Sequence, residues 1–241
     1  MSQETEVTKV DPKAVASYNS DRSVGRGHED SMTQDDFEIP RAKIVQFSSE
    51  EAKSENKDDR IDPGTFINSV SKSEIVPVFI PIFRYKTYTK WNAKKKSDAN
   101  YDPAYELGEL IFSTTDRHDP RIGNGLEFIN GEKPQVTQTL NFLCYFEGQR
   151  IPLVLSFQST SYKAGKRLNT LLEEAGGDMF SNKFKITSKI EGDPDKYYVL
   201  DVRANGKASP EEFAICEQFY NRFRGQSIDQ KVHKETEQFT E

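Results

Sequence analysis

Between residues 65 and 204, apolar and polar positions repeat mostly in steps of two, the period of strands that bury one face, and the step lengthens to that of a helix after residue 160. The clearest strand lies within 151–158, where Leu153, Leu155 and Phe157 alternate with Val154, Ser156 and Gln158. Comparable runs predict strands over 65–70, 107–113, 137–146, 184–190 and 197–204. The run IVPVFIPI over 75–82 is apolar but contains Pro77 and Pro81, which places it at a sheet edge or gives it bulges. It leads into FRYKTYTKW over 83–91. Alternation there puts Phe83, Tyr85 and Trp91 on one face and Arg84, Lys86, Tyr88 and Lys90 on the other.

Two helices stand out. The first starts near Tyr162, behind the hydroxyls of Ser159, Thr160 and Ser161, with Leu168, Leu171 and Leu172 on one side. Lys163, Lys166 and Arg167 crowd its beginning, where the helix dipole is already positive. Each such cation costs roughly a few tenths of a kcal/mol unless an anion such as a phosphate occupies the site. The second helix opens at Ser209 with Pro210, Glu211 and Glu212, a capping-box pattern, and carries an apolar stripe of Phe213, Ile215, Cys216, Phe219, Tyr220 and Phe223. Antiparallel strands with one helix inserted after a long strand and one at the end predict a mainly β (α+β) fold. The expected form is an OB-like antiparallel β-barrel with an inserted helix and a C-terminal helix; a β-sandwich with appended helices is the alternative.

Composition sets the boundaries of that domain. The 241 residues are 34% hydrophobic and 30% charged with a mean hydropathy of −0.77, so part of the chain is expected outside any packed core. Residues 1–36 are polar, acidic and aperiodic and read as a disordered leader; 37–224 read as a single domain, beginning with the apolar anchors of FEIPRAKIVQF; 225–241 read as a flexible tail. The net charge of −6 is uneven: residues 1–62 hold 15 acids against 9 bases, whereas 63–241 hold 24 of each. A neutral body can still carry a basic face, so a pI near 5.3 does not exclude nucleic acid. Cys144 and Cys216 stand far apart in sequence with no secretory signal ahead of them, which points to buried free thiols in a reducing cytoplasm. No apolar run approaches the roughly 18 residues of a membrane span, and no membrane partner is expected.

The chemistry legible in the sequence is cationic and aromatic. The stretch RYKTYTKWNAKKK over 84–96 holds six cations, three rings and no acid. Flat rings alternating with long cations suit a single nucleic-acid strand, whose bases stack at roughly 1–3 kcal/mol each while Lys and Arg follow the phosphates. Candidate contacts are Arg84, Lys86, Tyr88, Lys90, Trp91, Lys94, Lys95 and Lys96, joined by Lys163, Lys166 and Arg167 from the first helix. Tyr85 and Tyr88 cannot share a face without a bulge, and Tyr88 lies with the cations. Solvated lysines beside a buried ring would give the same pattern. Catalytic patterns are weaker. Asp116, His118 and Asp119 could ligate a metal, but such a run is common in loops. Ser156 and Ser159 lack nucleophile-elbow glycines, and neither a Walker loop nor GxGxxG occurs. No enzyme, cofactor or metal is expected.

The segments FEIPRAKIVQ, PGTFINSV, LVLSFQSTSYKAGKRLNTLL and YYVLDV together resemble an uncharacterised group of bacteriophage proteins taken to be single-stranded DNA-binding proteins. That resemblance implies an OB-type fold and DNA binding in phage DNA replication or recombination, in the cytoplasm of an infected bacterial host, with single-stranded DNA and phage replication or recombination proteins as partners. The zinc-binding cysteines of some of those proteins have no counterpart over 113–136. A phage structural or protein-interaction module with no nucleic-acid role is the alternative.

Overall fold

The computed structural model describes residues 38–56, 59–128, 131, 133–194 and 196–224; the expected leader over 1–36 and tail over 225–241 lie outside them. The centre is one long strand, β3 (Val78–Trp91), made by joining the proline-containing run to the aromatic–cationic one. Pro77 lies just before the strand, and the effect of Pro81 is visible in it. Pro81 sits at a register shift against β5 (Val136–Phe146), and the ladder resumes at Phe83–Leu143. Beyond β5 lies β6 (Leu153–Phe157).

The other side of β3 is shared. Its first residues pair with β7 (Asn182–Glu191), which continues to β8 (Tyr197–Lys207), and its last residues pair with β4 (Leu110–Thr114). All these ladders are antiparallel, in the order β6-β5-β3-β7-β8 with β4 against β3.

The mainly β (α+β) expectation holds, whereas the sheet does not close into the expected OB-like barrel. Among the described residues β6 and β8, the two ends of the sheet, form no ladder with each other. Two other segments span them. The helix α2 (Tyr162–Ala175) follows β6, and Ser161 at its start accepts the Leu200 N–H of β8 at 3.2 Å. The small sheet of β1 (Ala42–Ile44) and β2 (Phe66–Asn68) completes the bridge. Pro40 just before it accepts the Val154 N–H of β6 at 2.9 Å, while the Gln46 side chain just after it exchanges two hydrogen bonds with the Tyr198 backbone of β8. Between these strands lies the short helix α1 (Glu50–Lys53), whose Glu51 pairs with Lys43 and Lys72.

Apolar residues on the sheet form two large cores and a smaller one of Tyr88, Phe112, Ile122 and Val136. One gathers Phe142, Leu140, Phe157, Leu155 and Ile186 beneath Ala164, Leu168 and Leu172 of α2. The other large core gathers Ile80, Ile82, Leu143 and Phe180 against α3 (Pro210–Phe223), where Cys216, Phe213, Phe219, Tyr220 and Phe223 of the expected stripe pack and Ile215 is instead exposed. The capping box is formed: Ser209 Oγ accepts the Glu212 N–H and Glu212 accepts the Ser209 N–H. Cys144 and Cys216 are free and buried; burial pushes both thiols up, Cys216 to about 12. No helix of the described residues is long and apolar enough to cross a membrane.

Candidate nucleic-acid interface

Period-two geometry sorts the cations of β3. Beyond the bulge, Arg84, Lys86, Tyr88 and Lys90 stand opposite Phe142, Leu140, Gln138 and Val136. Phe142 and Leu140 belong to the core under α2, so this row faces that helix. Phe83 and Tyr85 go to the α3 side, as the alternation predicts. The α3 side of the same strands is neutral farther along: Asn141 Nδ2 donates to Thr87 at 3.0 Å, and Ser156 donates to Asn141 at 2.7 Å. Arg41 donates to Ser156 at 3.0 Å, and burial lowers its pKa.

The cationic row meets α2 along one flank of the helix. Tyr162, Lys166, Asn169 and Glu173, spaced at three and four residues, lie on that flank. Gln138 Nε2 donates to the Tyr162 hydroxyl, and the Lys166 ammonium stands 5.4 Å from the centre of the Tyr162 ring. Burial, with Tyr88 close by, raises the Tyr162 pKa. Arg84 is held at the far end of the row, its guanidinium donating to Asn169 at 2.7 Å and to Glu173 at 2.9 Å. On the opposite border, the connection after β4 brings two further cations over rings: Arg117 lies 5.6 Å from the centre of Tyr88 and Arg121 lies 5.0 Å from Phe112.

A family model described as Pam3 phage gp34-like protein matches residues 5–229. The chain belongs to this family. No curated protein and no solved structure matches it.

In this gp34-like chain, the residues singled out in the sequence fall into three groups. Lys86, Tyr88, Lys90 and Lys166 come together around the Gln138–Tyr162 contact. Lys163, Lys94, Lys95 and Lys96 are exposed, Lys163 on the outer side of α2 and the other three in the connection after β3. Arg84, Arg167 and Trp91 stand apart from the cluster. Arg84 is paired with Glu173; Arg167 projects from the other flank of α2 and meets Asp201 of β8 at 3.1 Å; Trp91 follows a register shift and pairs with Leu110. Tyr88, only 3% exposed, cannot offer an open ring.

The structure also supplies groups that the sequence patterns passed over, namely Tyr162, Gln138, Arg117 and Arg121. Nothing local distinguishes them, because they meet only when β4, β5 and α2 are assembled. The run at 116–121 is organised by its own arginine. Arg121 makes a two-pronged contact with Asp119 at 3.0 and 2.6 Å, which holds that carboxyl well below its ordinary range, and Asp116 accepts the His118 N–H at 2.8 Å. Among the described residues no three potential metal ligands gather.

Proposed function

We propose that this gp34-like protein binds single-stranded DNA without strong sequence preference, as a non-enzymatic component of phage DNA replication or recombination. One observation carries the reading. Lys86, Lys90, Lys166 and Arg117 border one wall, and among the described residues none of them pairs with a carboxylate. Four uncompensated cations repel one another, and a polyanion laid along the wall relieves that repulsion.

The start of α2 adds to the attraction. Ser161 Oγ is engaged by β8 instead of capping the helix, and no acidic residue lies in the first turn. The Tyr162 N–H is taken by the Ser159 carbonyl, so it is the helix dipole with no acid beside it, rather than open amides, that favours an anion here. The open sheet, with its bridging helix, takes the role that the OB-like expectation gave to a barrel groove.

The phage structural or interaction module is the second reading, favoured by the Arg84–Glu173 and Arg167–Asp201 pairs, which neutralise two of the candidate cations. Binding of a labelled oligonucleotide followed by anisotropy across a salt series separates the two. A DNA-binding protein loses affinity steeply with salt, at about 0.7 in the logarithmic slope per contacted phosphate, and prefers single strands to duplex. Lys86→Glu with Lys166→Glu should weaken binding by about tenfold or more at low salt. An unmodified chain that binds neither form at low salt would exclude the proposal and leave the module reading.

A further inference from the structure

We infer that Arg117 is a base-contacting residue, presenting its guanidinium to an unpaired nucleobase; this rests on the nucleic-acid reading above and deepens it. The rings that the sequence offers for stacking are poorly placed for the task. Tyr88 is covered, Tyr162 has Lys166 over its ring and its hydroxyl bonded to Gln138, and Trp91 lies past the register shift. The group lying over Tyr88 is Arg117, which is itself exposed.

A guanidinium is planar, delocalised and weakly hydrated, so a ring can support one face while a base stacks on the other. Arg121, one turn further along the same connection, shows the alternative use of that chemistry. Its guanidinium is engaged by both oxygens of Asp119 and lies over Phe112, which fixes the loop. Arg117 makes no ion pair among the described residues, yet it stands over an aromatic ring. Lys86 and Lys90 flank Tyr88 on the same face of β3, so a strand whose phosphates meet those lysines would bring a base toward the guanidinium.

Charge and planarity can be separated by experiment. The full-length chain is titrated with labelled oligothymidine and with an abasic oligomer of the same length, which has the phosphates and no bases. Wild type should prefer the oligothymidine by roughly tenfold. Arg117→Lys keeps the charge and loses the plane, so the preference should fall to about twofold while the salt slope holds; Arg117→Ala should show the same fall. If wild type binds both oligomers and Arg117→Lys leaves the preference intact, the assignment of Arg117 is overturned and the interface stands. If wild type binds neither oligomer, the interface reading fails and takes this inference with it.

Discussion

Arg167 Nη1 lies 3.1 Å from Asp201 Oδ1, so one of the three cations at the start of α2 is tied to the far edge strand of the sheet. Lys166, its neighbour in sequence, points to the opposite flank. The helix therefore divides its charge between β8 and the β3 wall. Both members of the Arg167–Asp201 pair keep solvent contact, and such pairs contribute at most about 1 kcal/mol. Asp201→Asn should shift the urea midpoint by no more than that contribution. Under the proposed function it also releases Arg167 and removes one negative charge, so low-salt oligonucleotide affinity should rise about two- to fivefold. Weaker binding in the anisotropy assay would show that Asp201 supports the site.

A second prediction concerns the connection between β3 and β4. Asn92 is buried, and its Nδ2 donates at 2.9 Å to each of the carbonyls of Asp102, Tyr105 and Glu106, while Oδ1 accepts the N–H groups of Ala93 and Asp102. One side chain thus ties 102–106 to the end of β3, beside the backbone bonds from Asn92 to Glu109 and from Gly108 to Ala93. Asn92→Asp keeps the shape but directs an acceptor at three carbonyls, an arrangement costing about 3 kcal/mol. Amide exchange should accelerate over 93–109 and remain slow in β5. Unchanged exchange over that stretch would mean that other contacts hold it.

Gly165 supplies a third. A Cβ built there would stand 2.8 Å from the Phe157 Cβ and 3.0 Å from the Leu140 Cδ1. The Phe157 Cβ is fixed to its backbone, so the helix must lift away from the sheet. Alanine gains up to about 1 kcal/mol in helix propensity, yet overpacking costs about 1–3 kcal/mol. Gly165→Ala should therefore lower stability by about 1–2 kcal/mol, whereas Thr170→Ala on the exposed side should raise it slightly. Denaturant unfolding of the two variants checks the sign.

The fourth is a pH dependence. Burial pushes the Glu51 carboxyl upward, but its own backbone N–H, Lys43 and Lys72 outweigh this and draw it from 4.5 to about 2. Below pH 4.5 the unfolded chain takes up a proton that the native chain refuses, so stability from this group is complete above that value and is lost as pH falls toward 2. Glu51→Gln should remove this part of the acid response. Midpoints measured between pH 5 and pH 3 should converge for the two proteins as pH falls; parallel curves would contradict the assignment.

Several features of the fold were legible because they depend on neighbours in sequence. The alternation assigned Phe83, Tyr85, Arg84, Lys86, Tyr88 and Lys90 to their faces, since a strand turns its side chains by a fixed rule whatever lies above them; the register shift at Lys90–Trp91 interrupts it before Trp91. Ser209, Pro210 and Glu212 formed the cap that their spacing specifies. Pro81 gave a register shift where it had to, at a point where β3 pairs on one side only, and Pro77 lies just before the strand.

What the pattern could not decide was closure and company. Strand periodicity is the same in a barrel and in an open sheet. Here the ends are bridged by Gln46 and Pro40, through contacts more than a hundred residues apart, and by Ser161 at the start of α2, 39 residues from its partner Leu200. Net charge along a segment likewise does not say which cations meet a carboxylate. Arg84 and Arg167 found Glu173 and Asp201, while Lys86 and Lys166 did not, and Arg117 reached Tyr88 because β4 docks beside β3. By itself, then, the sequence determined the local elements, their faces and their caps, because these follow from backbone sterics and short-range hydrogen bonds. Only the tertiary structure decided the open sheet and the membership of the cationic wall, because those depend on which distant side chains chain folding brings within a few ångströms.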